Sequence, residues 1–178
     1  MFRSLIAAAL VSLLPLGAHA GPEAEALIAR AAKDIADPAY GETAFTRAID
    51  VPTVARFSLG KHVRRISEAE QAKFTAAFET FLTGTFRDNA ATFRSAQIRV
   101  IGSVDRSATD SVVETRVTPD GEEELTVRWR VLQRGGEWRI VDVEVLGLWL
   151  AIEQRAQIDA ILARPRATID DAIAALTS

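Results

Sequence analysis

The chain has 178 residues, enough for one domain with a substantial core, and its 21 basic and 24 acidic residues give a net charge of −3. A protein that binds nucleic acid broadly needs a basic excess, so nucleic acid is not an expected partner. The sequence contains no cysteine, which excludes disulfides, a cysteine nucleophile, thiolate metal ligands and a lipidated cysteine.

The first twenty residues have the pattern of a secretory signal peptide. Arg3 precedes an apolar run that is broken at Pro15 and is too short for a comfortable membrane span. The triplet 18–20, Ala-His-Ala, fits a small-x-small cleavage site. We therefore expect cleavage after Ala20, export to the periplasm, and a single mature domain over residues 21–178. The alternatives are an uncleaved anchor and an amphipathic surface helix.

The mature sequence predicts helices at both ends and strands in the middle. Apolar residues recur at helical spacing over 23–36 and predict the first helix. Asp50 is suited to cap a second, short helix that ends at Gly60. The tail predicts a helix to about Arg164 and a last short helix capped by Thr168.

A long aromatic helix is the clearest local signal. Ser67 and Glu70 have the spacing of a capping box at its start. The apolar stripe that follows contains Phe74, Phe78, Phe81, Leu82 and Phe86. Such a stripe either fills a core or lines a ligand cavity, and the two interpretations are compatible if the core is hollow.

From about residue 96 the apolar period changes to two. Four alternating segments, 97–104, 111–117, 123–133 and 137–147, are separated by short turns and predict an antiparallel meander. On the third strand Leu125, Val127, Trp129 and Val131 share one face. Arg128 and Arg130 share the other, where they are either solvated or paired with Glu114, Glu122 and Glu124. Helices packed on one face of such a sheet give an α+β fold.

Few residues are suited to catalysis. The one histidine of the mature chain, His62, stands beside basic residues and is expected to be solvated. Asp142 and Glu144 project to the same side of a strand, where ion pairs are the expected role. Asp142 could instead act as a proton-transfer base in a small-molecule isomerase or hydratase.

Over roughly residues 23–176 the chain resembles the MlaC/toluene-tolerance family of periplasmic phospholipid-binding proteins, and the segments 51–82 and 135–162 carry the resemblance. The most specific features are Arg-Phe-Ser-Leu-Gly at 56–60, then Trp138, Asp142-Val143, and Gly147 running into a helix with Arg155. The resemblance implies an NTF2-like or cystatin-like curved antiparallel sheet of about four strands, packed against helices around a deep apolar cavity. It also implies a non-enzymatic shuttle for a phospholipid. Its partners would be an inner-membrane ABC lipid transporter and an outer-membrane lipoprotein complex.

The sequence departs from the family pattern at three places. Lys61-His62-Val63 stands where the family often has an aromatic pair, the segment 145–149 has no glutamate, and Glu153-Gln154-Arg155 replaces Asn-Tyr-Arg. The cargo therefore stays open between a phospholipid and another amphiphile, such as a hopanoid-related lipid.

Twelve apolar side chains are expected to line the lipid cavity, and neither a cofactor nor a metal is expected. The twelve are Phe57, Leu59, Phe74, Phe78, Phe81, Val127, Trp129, Val131, Val143, Val145, Leu148 and Trp149. Trp149 follows Gly147 and is either a gate or a core plug. A protein-interaction module with a filled core and an enzyme using Asp142 are the rival interpretations.

Overall fold

The computed structural model describes residues 20–177, and residues 1–19 of the predicted signal peptide lie outside the described part. The described chain forms seven α-helices, a 3₁₀ segment and five β-strands. The helices are α1 (Gly21–Ala36), α2 (Gly41–Ala48), α3 (Val51–Leu59), α4 (Glu68–Asp88), α5 (Ala90–Ser95), α6 (Leu150–Leu162) and α7 (Ile169–Leu176). The strands are β1 (Gln97–Ser107), β2 (Asp110–Thr118), β3 (Leu125–Arg134), β4 (Glu137–Val145) and β5 (Leu148–Trp149), and the 3₁₀ segment is Gly60–Arg65.

The predicted helix starts are confirmed at their caps. The Asp50 carboxylate accepts the backbone N–H of Thr53 at 3.1 Å, and Ser67 and Glu70 form a reciprocal capping box. Thr168 begins α7 with a second capping box. Each cap satisfies backbone donors that the first helical turn leaves without an intrahelical partner. Over residues 20–177, none of the helices combines the length and apolar character needed to cross a bilayer.

The five strands form one antiparallel sheet in the order β1-β2-β3-β4-β5. The four predicted strands are confirmed, and the α+β class with them. The fifth strand pairs Leu148 with Val145 and Trp149 with Glu144. A two-residue strand is too short to show a period of two, which is why the sequence predicts about four strands.

Two cores lie on opposite sides of the sheet. Helix α1 packs on one face, where Val113, Val131 and Ile140 are buried. Helices α3, α4, α6 and α7 form the second core, which we call the helical core, and it includes Val141 of β4. The adjacent β4 residues Ile140 and Val141 contribute to different cores because successive strand residues face opposite sides of the sheet. The β3–β4 pairing skips Val141, which forms a β-bulge.

The second sheet face also carries ion pairs. Arg128 bonds Glu144 and Arg130 bonds Asp110, each at 2.9 Å. These partners differ from the predicted glutamates. Arg128 lies between Glu114 on β2 and Glu144 on β4, and it bonds Glu144. Glu124 instead lies within ion-pair distance of Arg99 and Arg116 of the outer strands.

Candidate functional site

The twelve predicted cavity residues do not form one surface. Leu59, Phe74 and Phe78 belong to the helical core, where each exposes 2% or less of its surface. Phe81 lies at the edge of the same core and is partly exposed. Side chains packed this closely fill the space between helices, so this part of the aromatic stripe is a filled core.

A second group lies on the sheet face that packs against α1. Val131 is fully buried there. Cross-strand pairing places Trp129 opposite Val143 and Val127 opposite Val145. Directly opposite residues project to the same side of a sheet, so these five side chains share one apolar face.

This face continues to the outer edge of the sheet. Val127, Val145 and Leu148 pair in sequence across β3, β4 and β5, and we call these three residues the apolar strip. Val127 is 5% exposed, Val145 is half-buried and Leu148 is 56% exposed. The apolar strip therefore runs without a polar interruption from the interior to solvent.

The remaining two predicted residues lie apart from both groups. Trp149 is paired with Glu144, so its position belongs to the other sheet face. Phe57 is exposed on α3, and the Arg155 guanidinium carbon lies 5.0 Å from its ring centroid. The structure thus separates Trp149 from Leu148, although the sequence places them side by side.

A buried polar link on the same sheet face was not predicted. The Trp129 indole Nε1–H donates to Thr115 Oγ1 at 2.9 Å, and the Thr115 hydroxyl donates to the Val127 carbonyl at 3.1 Å. Thr115 is fully buried. The link fixes the orientation of a large indole within the apolar face. A threonine among strand residues gives no sequence signal for such a role, because threonine is common in strands.

The Asp142 carboxylate is held by two backbone groups. The N–H groups of Val143 and Ala151 both donate to Oδ1 at 2.8 Å. Burial raises the pKa of Asp142, and these two hydrogen bonds oppose the rise. Because both donors are backbone groups at the junction of β4 and α6, the geometry gives Asp142 a structural role.

The prediction that His62 is solvated is wrong. Its ring is buried, and Nε2 lies 2.7 Å from Oδ1 of Asp159, which also bonds the Lys61 ammonium at 2.8 Å. Hydrogen bonds from Lys61 and His62 lower the pKa of Asp159. The charged neighbours suggested a surface position, but the 3₁₀ segment turns His62 inward beneath α6.

An aromatic cluster joins α2, α4 and α5. The Phe86 ring stacks on the rings of Phe45 and Phe93. The distances between ring centroids are 5.0 Å to Phe45 and 5.4 Å to Phe93. Phe86 was predicted in one stripe with Phe74 and Phe78, but α4 is long enough for its last turns to leave the helical core. Phe45 and Phe93 lie on short helices whose periodicity is too brief to identify them.

The larger of two concave regions in the described chain is not lined by the predicted cavity residues. A groove of about 940 Å³ lies between α1, α2 and the β3–β4 turn, and none of the twelve predicted residues lines it. A smaller concavity of about 300 Å³ lies between the 3₁₀ segment and α6, with Leu59, Lys61, Ile152, Arg155 and Asp159 among its lining residues. The described chain has no group of three or more His, Asp or Glu side chains that could hold a metal ion.

Comparison with known protein families and solved structures shows which proteins this chain is related to. The MlaC protein family model matches residues 38–178. The chain belongs to the MlaC family. A search of curated proteins found no match.

The fold of this MlaC family member is shared with a solved structure. That structure is the phospholipid-binding protein from Ralstonia solanacearum in complex with a phospholipid. The TM-score is 0.75 at 19% sequence identity, and the match covers 86% of this chain and 94% of the other. The expected fold, helices packed against one antiparallel sheet, is therefore confirmed.

Proposed function

We propose that this protein is a phospholipid carrier without enzymatic activity. The observation that carries the proposal is family membership over residues 38–178, together with a fold shared with a protein solved in complex with a phospholipid. Both point to binding of an amphiphile rather than to chemistry on a substrate. The backbone hydrogen bonds that fix Asp142 favour the same conclusion, because the carboxylate already serves the β4–α6 junction.

The acyl chains would lie along the apolar strip and the adjoining residues Trp129 and Val143. Hiding an acyl chain from water is worth about 0.8 kcal/mol per CH₂, so even part of one chain gives useful affinity. Phe74 and Phe78 are already enclosed by the helical core and would have to separate from their neighbours to admit a chain. The apolar strip needs less rearrangement because its outer end already meets solvent.

We further propose that the carrier works in the periplasm after cleavage behind Ala20. Its partners there would be an inner-membrane ABC lipid transporter that loads or unloads it and an outer-membrane lipoprotein complex. This proposal draws on the signal-peptide pattern of residues 1–20 and on the family resemblance. Intact mass of the protein recovered from periplasm tests the cleavage site, since retention of residues 1–20 would contradict it.

A lipid-transfer assay tests the carrier function. Donor vesicles with a fluorescent phospholipid are mixed with unlabelled acceptor vesicles, and the mature protein is expected to accelerate transfer between them. Val145→Asp places a carboxylate in the middle of the apolar strip and is expected to abolish that acceleration. Val104→Asp is the matched control, because Val104 is 70% exposed on the opposite edge strand, β1.

Three results would count against this proposal. Transfer at the spontaneous rate with wild-type protein contradicts the carrier function. Undiminished transfer by Val145→Asp contradicts the apolar strip as the site. Equal loss of transfer in Val145→Asp and Val104→Asp would mean that a new carboxylate is harmful on either strand, which would also contradict the apolar strip as the site.

A further inference from the structure

The first residue of α1 lies very close to the edge strand β1. A β-carbon at Gly21 would stand 2.6 Å from the hydroxyl oxygen of Ser103 and 3.7 Å from the nearer carboxylate oxygen of Asp105. The contact with Ser103 is too short for a carbon atom, so only glycine allows this approach. The Gly21 nitrogen is two bonds from the β-carbon position, and it therefore lies within about 6 Å of the Asp105 carboxylate.

Two further carboxylates at this end of α1 already have hydrogen-bond donors. Glu25 accepts the hydroxyl of Ser103 at 2.6 Å, and Glu23 accepts the indole N–H of Trp138 at 2.8 Å. Both belong to the first turns of α1, where acidic residues suit the helix dipole. Asp105 differs from them because it reaches the start of the helix from another element.

The nearby arginines are paired with other carboxylates. Arg106 follows Asp105 on β1 but lies 3.9 Å from Asp110, and Arg139 of β4 bonds Glu137 at 2.8 Å. Asp105 itself is exposed and forms no ion pair with any residue of the described range 20–177. An exposed aspartate needs no partner in water, so the closeness of Gly21 is what singles Asp105 out.

Cleavage behind Ala20 would change this end of α1 in two ways. Hydrolysis adds water across the Ala20–Gly21 bond, which leaves a carboxylate on Ala20 and an amine on Gly21 that takes up a proton. Cleavage also removes the Ala20 carbonyl, which accepts the backbone N–H of Ala24 at 3.0 Å. The first turn thus loses one hydrogen bond and gains an ammonium group with three N–H donors.

We propose that the α-ammonium group of Gly21 pairs with Asp105 in the mature protein and so anchors the start of α1 to β1. This inference rests on the proposed cleavage behind Ala20 and is independent of lipid binding. A positive charge is unfavourable at the start of a helix, and the Asp105 carboxylate compensates it. The precursor lacks the pair, because its Gly21 nitrogen is an uncharged amide.

The pKa of the Gly21 α-amino group tests the pair. Protein that begins at Gly21 is released from a cleavable fusion after labelling with glycine that carries carbon-13 at Cα. The Gly21 resonance is then followed by NMR from about pH 6 to about pH 10, where α-amino groups titrate. Because Asp105 stabilises the charged form, Asp105→Asn is expected to lower this pKa, with about a threefold or greater loss of proton affinity.

Two controls separate the pair from a general charge effect. Asp34→Asn removes an equal charge from an exposed position about 20 Å further along α1, and it is expected to leave the pKa of the Gly21 α-amino group unchanged. The second control is protein that retains residues 18–20, in which the ammonium group lies three residues before Gly21. There, Asp105→Asn is expected to lower the urea unfolding midpoint less than it does in protein that begins at Gly21.

Equal α-amino pKa values in wild type and Asp105→Asn would overturn the inference. Equal decreases in Asp105→Asn and Asp34→Asn would overturn it too, because they would reflect net charge alone. Intact mass of the exported protein tests the premise separately. A chain that begins at a residue other than Gly21 would overturn the anchor and leave the carrier function standing, whereas a confirmed pair in a protein that transfers no lipid would do the reverse.

Discussion

The Asp142 carboxylate accepts the backbone N–H of Ala151 at 2.8 Å, and so ties strand β4 to the first turn of α6. The N–H of Val143 donates to the same oxygen. The hairpin that carries Leu146 lies between these two anchored points, since β5 and its turn occupy residues 146–149. One carboxylate thus fixes the base of the apolar hairpin from both sides.

Removing that acceptor should destabilise the fold. Asp142→Ala leaves two backbone N–H groups without their partner and is expected to lower the free energy of unfolding by about 2 kcal/mol. Asp142→Asn keeps an oxygen acceptor in the same place and is expected to cost much less. Urea unfolding of both variants checks the difference. Equal losses would mean that the charge, not the acceptor, holds the junction.

The His62–Asp159–Lys61 contact predicts a pH-dependent contribution to stability. Lys61 and His62 lower the pKa of Asp159 from its ordinary value of 3.8. The ionised carboxylate is therefore more stable in the folded state than in the unfolded state. The stabilisation is therefore present above that ordinary value and is lost as the pH falls through the lowered pKa.

Asp159→Asn should accordingly be less stable than wild type at neutral pH and approach it in strong acid. Urea unfolding of Asp159→Asn and wild type, at neutral pH and in strong acid, measures the difference in stability. Asp170→Asn breaks an exposed ion pair with Lys73 on α4 and serves as control, with a small effect expected. A deficit for Asp159→Asn that is the same at every pH would contradict the assignment.

The buried link from Trp129 to Thr115 predicts an unusual cost for a small substitution. Thr115→Val preserves the side-chain shape but leaves the indole N–H without an acceptor, which is expected to cost about 1–3 kcal/mol in unfolding free energy. Thr115→Ser keeps the hydroxyl and should be milder. Chemical denaturation checks both variants, and a Thr115→Val protein as stable as wild type would show that the indole finds another acceptor.

The rings of Phe45, Phe86 and Phe93 pack together at the end of α4, and we expect this cluster to contribute strongly to stability. Phe86→Ala removes the central ring of the stack and is expected to lower the unfolding free energy by about 3–5 kcal/mol. Phe93→Ala should cost less, because Phe93 is partly exposed on the short helix α5. The ranking is measured by thermal or urea unfolding, and the reverse order would place the centre of the cluster at Phe93.

Much of the fold could be predicted from local sequence. Capping residues such as Asp50 and Ser67 mark helix starts through hydrogen bonds made within three residues, so neighbouring letters suffice to find them. The four long strands show a clear period of two. The two-residue strand β5 exists only because the turn at Leu146 and Gly147 brings it against β4, and no periodicity marks it.

The candidate site was less predictable because burial depends on long-range packing. Phe78 and Val127 are both apolar residues on amphipathic elements, yet the first fills the helical core and the second begins the apolar strip on the other side of the sheet. His62 shows the same limit. Its basic neighbours suggested a solvent-exposed side chain, but the packing of α6 buries it. The sequence indicates which residues are apolar, but the topology decides which of them face each other.

Native mass spectrometry of the mature protein, purified from periplasm without detergent and followed by lipid extraction, tests the central claim most directly. A stoichiometric adduct with the mass of a phospholipid is the predicted result, and the adduct should be lost in Val145→Asp but retained in Val104→Asp. A protein that is free of lipid, and remains so after incubation with phospholipid vesicles, would contradict the carrier function.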